Sequence, residues 1–221
     1  MALIDVYTDR NEPAGYTVEK KEAHAKGLWH RVFTCLVINT DNKTAFLQKK
    51  TPGRYSFDRP DHMDVTVGGH YEAGESIEAG VREMEEEIGL KVPFEQLVSL
   101  GQRQTSVILA EDYDNNEFQH IFLLPTKTKI TEFKYTDTEV RGIVEVPLIE
   151  GIKLMRGEIA ELKVEGCFVN PEKPEGKEVV DMTITMEDFV PAYLKTDEFM
   201  IRLFVAAHRY FQGEDPSFIY W

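Results

Sequence analysis

The sequence predicts an α+β fold, an α/β/α sandwich with a central mixed sheet between helices, followed by a mostly helical C-terminal extension. Three observations carry this. Short β-rich runs recur between residues 29 and 146; residues 76–88 and 147–155 space their apolar side chains at a helical period; and residues 189–211 do the same with larger side chains. A chain of 221 residues can bury one core and still carry additions. Residues 1–155 are therefore expected to form the main domain, with a strand and covering segment at 1–28. Residues 156–221 are expected to pack on that domain or to meet a second subunit in a homodimer.

Taken in order, residues 3–7 read as a short strand, 9–15 as a turn and 19–26 as a short polar helix or covering segment. WHRVFTCLVIN at 29–39 has the β-branched, apolar character of a buried strand, and Thr40-Asp41-Asn42-Lys43 is a hairpin turn into 44–48. Residues 64–67 deliver the chain to Gly68 and Gly69. Beyond residue 90, LVSLG and TSVIL are β-rich, EDYDNNE at 111–117 is a polar turn, and FQHIFLLP at 118–125 is a buried strand with Glu117 at its start. A strand at 140–146 and the helix at 147–155 complete the sandwich. In the extension, 167–169 and 179–184 are strand-like, and 189–211 is helical with a break at Lys195-Thr196-Asp197 and an apolar face of Phe199, Leu203, Ala206 and Tyr210. Phe218, Tyr220 and Trp221 are costly to expose together, so the C-terminus is expected to dock on the core or on a second subunit.

The segment GGHYEAGESIEAGVREMEEEIGL at 68–90 organises the rest. Ile77, Val81, Met84 and Ile88 form one apolar stripe, Ser76 is a suitable N-cap and Gly89 a suitable C′ residue. At about 100° per residue, Glu83, Glu86 and Glu87 share another face, and the small residues Ala79 and Gly80 one turn earlier leave room for an approaching group. Like charges at this spacing repel by some tenths of a kcal/mol per pair. A divalent cation removes that cost, and Mg2+ prefers oxygen ligands while keeping positions open for phosphate oxygens.

The order Gly69, five residues, Glu75, then Arg82-Glu83-Met84-x-Glu86-Glu87-x-Gly89-Leu90 resembles the box of the Nudix hydrolases. The family pattern has seven residues between the first Glu and the Arg, whereas this chain has six; this leaves open whether Glu75 or Glu72 makes the family's supporting interaction. The resemblance implies a Nudix-type fold and a Mg2+ or Mn2+ cofactor held by Glu83, Glu86, Glu87 and the carbonyl of Gly69. It also implies that Arg82 braces a box carboxylate, with Glu75 in support, and that Glu86 or Glu87 takes a proton from water. A residue outside the box often joins the site; Glu117 is the first choice and Glu139 the second.

Residues 3–150, through the AHAKGLWHR segment, also resemble the branch of type I isopentenyl-diphosphate isomerases. That likeness implies a second ligand set at His24, His30, His70 and Glu117. Isomerisation in that branch needs a cysteine where this chain has Gly68. Read without the resemblance, His24 and His208 are exposed or helix-packed residues, and His30, His70 and His120 are candidates to line the site.

KKTPGRYSFDRPDHMDVTVGG precedes the box, and Lys49, Lys50, Arg54 and Arg59 form its basic stretch. Lys50 and Arg54 are the preferred phosphate ligands, with His70 from the glycine turn. The chain as a whole is acidic, with a net charge of -14, which argues against nucleic-acid polymers and anionic membranes as partners. Two distant cysteines, Cys35 and Cys167, suggest neither a disulfide framework nor a zinc site. The N-terminal residues lack a secretory pattern, and a cytoplasmic location is expected. The expected activity is hydrolysis of a nucleoside diphosphate linked to another group, or of a related small diphosphate; the alternatives are an isoprenoid diphosphate isomerase and a non-catalytic nucleotide-binding module.

Overall fold

Alternation in two neighbouring strands creates the two larger cores of the molecule. In β3 (His30–Asn39), Phe33, Cys35 and Val37 face one side and Leu36 and Ile38 the other, all fully buried. β8 (Tyr113–Thr126) repeats the pattern, with Phe122 and Leu124 on the first side and Ile121 and Leu123 on the second. A strand covered on both faces reads as a continuous apolar run, and each buried large side chain contributes about 1.5–3 kcal/mol. The computed structural model describes residues 2–52, 61–135, 138–170 and 173–221, with side chains of 173–175 set aside.

Among the described residues, the central sheet has nine strands in the order β11-β10-β9-β4-β3-β8-β7, with β5 on β4 and β6 on β3. Its other members are β4 (Thr44–Lys50), β5 (Met63–Asp64), β6 (Val67–His70), β7 (Val98–Ala110), β9 (Val140–Pro147), β10 (Leu162–Asn170) and β11 (Lys173–Ile184). The β3–β8 pair is parallel and the remaining pairs are antiparallel. A separate hairpin of β1 (Leu3–Tyr7) and β2 (Pro13–Glu19) leads into helix α1 (Lys20–Ala25). One face of the sheet packs on α2 (Arg82–Ile88); the other packs on α3 (Leu148–Met155) and α5 (Phe199–Phe211), which also contact each other. Among the described residues, no helix is long and apolar enough to cross a membrane.

The site depends on a splay. β3 and β4 pair only at Ile38↔Ala45 and Asn39↔Thr44, and then diverge while β5 and β6 enter the gap. Thr66 spans it: its buried hydroxyl donates to the carbonyl of Phe46 and accepts from the N–H of Val37 at 2.8 Å. One side chain thus satisfies two backbone groups that the parted strands leave without ladder partners.

Several expectations change. The extension is not mostly helical: β10 and β11 form a hairpin that joins the main sheet through β10–β9, ahead of α4 (Pro191–Lys195) and α5. The two runs after residue 96 are one strand, and residues 113–117 belong to β8, so Glu117 lies within a strand and not at its start. At the C-terminus Ile219 is buried and Trp221 docks through its N–H to Leu100, whereas Phe218 and Tyr220 remain exposed. Ile219 and the half-buried Trp221 thus hold the end against the core.

Candidate active site

The turn before α2 absorbs the short spacing seen in the sequence. Residues Glu78–Val81 form a 3-10 helix that runs directly into α2, and Ile77, not Ser76, occupies its N-cap position. Four 3-10 residues turn about 120° and rise about 2.0 Å each, against about 100° and 1.5 Å in an α-helix. The stretch gains roughly 80° and 2 Å, close to what one missing α-helical residue removes. Met84 and Ile88 are buried as the stripe predicts, while Ile77 is exposed. Gly80 does not leave room for an approaching group: a Cβ there would lie 2.6 Å from the Tyr71 ring and 2.8 Å from that of Phe33. Gly89 ends α2 at φ 69°.

Arg82 therefore reaches Glu75. Its Nε donates to Glu75 Oε1 at 2.8 Å, NH1 to Glu83 Oε1 at 2.7 Å and Glu86 Oε2 at 2.9 Å, and NH2 to the His70 carbonyl at 2.9 Å and Glu75 Oε2 at 3.2 Å. Glu72 meets Glu75 through its backbone: its N–H donates to Glu75 Oε2 at 2.7 Å and its carbonyl accepts from the N–H of Glu75 at 3.0 Å. Gly68 and Gly69 lie in strand β6, paired with β3, and not in the glycine turn that the sequence suggests, and the planar guanidinium fork holds three carboxylates and the end of this strand in one frame.

Glu83 and Glu87 lie buried against that strand. The carboxylate of Glu83 fills the space a Cβ on Gly69 would take. Glu87 accepts from the N–H of Gly68 at 3.1 Å, from Lys50 Nζ at 3.3 Å and from Gln48 Nε2 at 3.3 Å. Burial pushes both carboxyl groups up to about 7, against the lowering effects of Arg82 on Glu83 and of Lys50 on Glu87. Glu86 is more exposed and is tethered by Arg82.

A second constellation adjoins it. His24, His30 and His70 place ligand atoms within 4.8 Å of one another. Nδ1 of His24 faces the Asp114 carbonyl at 3.3 Å and Nδ1 of His30 faces that of Leu28 at 2.8 Å. A carbonyl only accepts, so both Nδ1 atoms carry protons and both Nε2 lone pairs turn into the cluster. His24 Nε2 lies 3.1 Å from His70 Nε2, and His30 Nε2 is 3.9 Å from Glu117 Oε1. Burial lowers His24 and His30 to about 4 and His70 well below its ordinary value, and it raises Glu117. Among the described residues, His30 Nε2 and His70 Nδ1 are buried without a hydrogen-bond partner. Neutral imidazoles with inward lone pairs and an adjacent carboxyl fit a divalent cation.

A cavity of about 470 Å³ lies beside the two groups; Gly68, Lys50, Glu139, His70 and Glu117 line it, whereas Glu83, Glu86 and Glu87 do not. Glu117 and Gln119 share the sheet face of Ile121 and Leu123, whereas Glu83 and Glu87 rise from α2 on the other face. Across the splay between β3 and β4, Gln48, Lys50 and Gly68, which line the cavity, contact Glu87. Lys50 bridges Glu87 and Glu139, the latter at 2.7 Å. Lys49 instead pairs with Asp61, and Arg54 and Arg59 lie outside the described residues. His70 sits among the histidines, a position better suited to a cation ligand than to the phosphate contact the sequence reading gives it. His24 is buried in the cluster, not exposed or merely helix-packed. His120 faces away, against Tyr71.

Sequence reasoning missed Lys20, Arg103 and Gln119, all of which line the cavity. Lys20 stands one turn before His24 on α1, a spacing that puts both on one face. Arg103 is hidden by a bulge: the β7 register shifts between Ser99 and Gly101, where Gly101 has φ 102°. Strict alternation from Leu100 would turn Gln102 inward; the extra residue turns Arg103 inward instead.

The family model described as NUDIX domain matches residues 28–164. An uncharacterised Nudix hydrolase of Clostridium acetobutylicum is 32% identical over 191 residues, covering 86% of this chain and 90% of its own length. An isopentenyl-diphosphate Delta-isomerase of Aliivibrio fischeri is 35% identical over 133 residues, 58% of this chain and 70% of its own. In fold, a crystal structure from Deinococcus radiodurans superposes with a TM-score of 0.51 at 18% identity, covering 70% of this chain and 89% of the other.

Proposed function

The chain belongs to the NUDIX family of diphosphate-bond hydrolases, and on that premise we propose that it is a Mg2+- or Mn2+-dependent pyrophosphohydrolase. Its substrate is a nucleoside diphosphate linked to another group, or a related small diphosphate, attacked by water at phosphorus in the cytoplasm. The observation that carries this reading is the Arg82 frame, which fixes Glu75, Glu83 and Glu86 around the end of β6 despite the short spacing.

Glu83, Glu86, Glu87 and the carbonyl of Gly69 offer an oxygen set suited to Mg2+. His24, His30, His70 and Glu117 offer a mixed nitrogen and oxygen set better suited to Mn2+. A bound cation supplies charge neutralisation for the diphosphate and acidifies an attacking water. The chain's own groups do the rest: Glu86, Glu87 or Glu117 accepts the water's proton, and Lys50 and Lys20, with Arg54, attract phosphate oxygens. Arg82 keeps the carboxylates from moving apart.

Hydrolysis is favoured over isomerisation because Gly68 supplies no thiol and both cysteines of the chain are buried away from the cavity. A second substrate reading rests on the outer cavity wall, where Val107, Ile108 and Leu109 of β7 face Val190, Pro191 and Tyr193. That wall favours the diphosphate ester of an apolar group, in keeping with the isoprenoid named for the isomerase relative. A phosphate-release panel of nucleoside diphosphate sugars, dinucleotides, nucleoside di- and triphosphates and prenyl diphosphates, each with Mg2+ and with Mn2+, tests both readings. Release from none of them contradicts the proposed activity.

A further inference from the structure

Arg103 carries the most unexpected charge in the molecule: its side chain is only 2% exposed. A buried guanidinium persists only when its donors are matched, and here they are matched on two sides. Nε and NH2 make a bidentate pair with Asp197, at 2.6 and 3.1 Å, and NH1 donates to Gln119 Oε1 at 2.8 Å. The guanidinium also lies over the Phe199 ring, 4.2 Å from its centroid.

The consequence falls on Gln119. Arginine only donates, so the amide must turn its oxygen to Arg103 and its NH2 toward Glu117, whose Oε2 accepts at 2.7 Å. The other oxygen of Glu117 is then the one nearest His30. A continuous chain of contacts thus runs from Asp197, in the turn between α4 and α5, to the carboxylate that lines the cavity. Glu198, next to Asp197, adopts a left-handed backbone at φ 55°, a conformation that non-glycine residues seldom take and that turns the chain between the two helices.

We propose that Asp197 is a positioning residue for the site: it fixes Arg103, Arg103 fixes the amide of Gln119, and that amide holds the Glu117 carboxylate facing His30. The C-terminal extension is thereby part of the machinery as well as of the core. The inference rests on the proposed role of Glu117 as a site residue.

The test is a double-mutant cycle read by Mn2+ binding to the full-length, substrate-free protein, followed by electron paramagnetic resonance of the free ion. Glu117→Gln alone identifies the Mn2+ class that depends on this carboxylate; if no class weakens, the role of Glu117 itself fails. Asp197→Asn is expected to weaken that same class about 5- to 10-fold, comparable to the loss of other outer-shell partners, and to have no further effect once Glu117→Gln is present. Gln119→Leu leaves the Arg103–Asp197 pair whole, severs only the last link, and is expected to give the same loss; it decides the matter if Asp197→Asn does not fold. Unchanged affinity in the folded variants, or an equal loss with and without Glu117, overturns the proposal.

Discussion

Gly69 has no side chain because the carboxylate of Glu83 occupies the place where one would be: a Cβ at 69 would lie 2.0 Å from Glu83 Cδ and 2.2 and 2.4 Å from its oxygens. Gly69→Ala therefore expels Glu83 from its place against β6 and breaks its alignment with Arg82. The expected result is a fall in kcat of about 100-fold, the scale of misplacing a catalytic group by about an ångström. Circular dichroism should show an intact fold, since the displaced side chain lies at the edge of the core.

Arg82→Lys keeps the charge but loses the fork that joins Glu75, Glu83, Glu86 and the His70 carbonyl. A single ammonium cannot satisfy that geometry. Activity should fall about 10- to 100-fold with only a small change in melting temperature. Steady-state kinetics and a thermal melt check both parts.

The buried carboxyl of Glu87 gives stability a defined pH dependence in the cation-free protein. It stays protonated in the fold up to about pH 7, whereas an unfolded glutamate ionises near 4.5. Because the folded value is raised, the favourable contribution is full below about pH 4.5 and is lost as pH rises through about 7; the difference is on the order of 3 kcal/mol. Urea unfolding at pH 5 and pH 8 should show wild type losing stability relative to Glu87→Gln over that interval. Mg2+ or Mn2+ should restore more stability at pH 8 than at pH 5.

Thr66→Val removes the hydroxyl that ties Val37 to Phe46 across the splay. The shape is kept, but two buried backbone groups lose their partner, at a cost of about 1–3 kcal/mol. For a chain of this size each kcal/mol corresponds to about 2–4 °C in melting temperature, which scanning calorimetry resolves.

Strong local patterns made most of the frame legible. The apolar run of β3, the turn at 40–43, the stripe of α2 and the broken helix of the extension all follow from residues near one another in sequence. The α2 glutamates and Arg82 were legible for the same reason, because a helix fixes their relative directions. What escaped was set by backbone irregularity and by distant pairing. A 3-10 turn decided between Glu75 and Glu72, a bulge at Gly101 turned Arg103 inward, and the parallel pairing of β3 with β8 brought Glu117 beside His30. His24 looked ordinary because its partners lie 46 and 90 residues away in the chain.

The central claim is that the carboxylates of α2 run a diphosphate hydrolysis, and Glu87→Gln tests it most directly. The substitution keeps the volume and allows contact with Gly68 and Lys50, but it removes both the negative charge and the proton acceptor. With the best substrate of the phosphate-release panel and saturating Mg2+, kcat should fall by about 100-fold or more, while the folded spectrum is retained. Phosphate release at the wild-type rate by the folded variant would contradict the account.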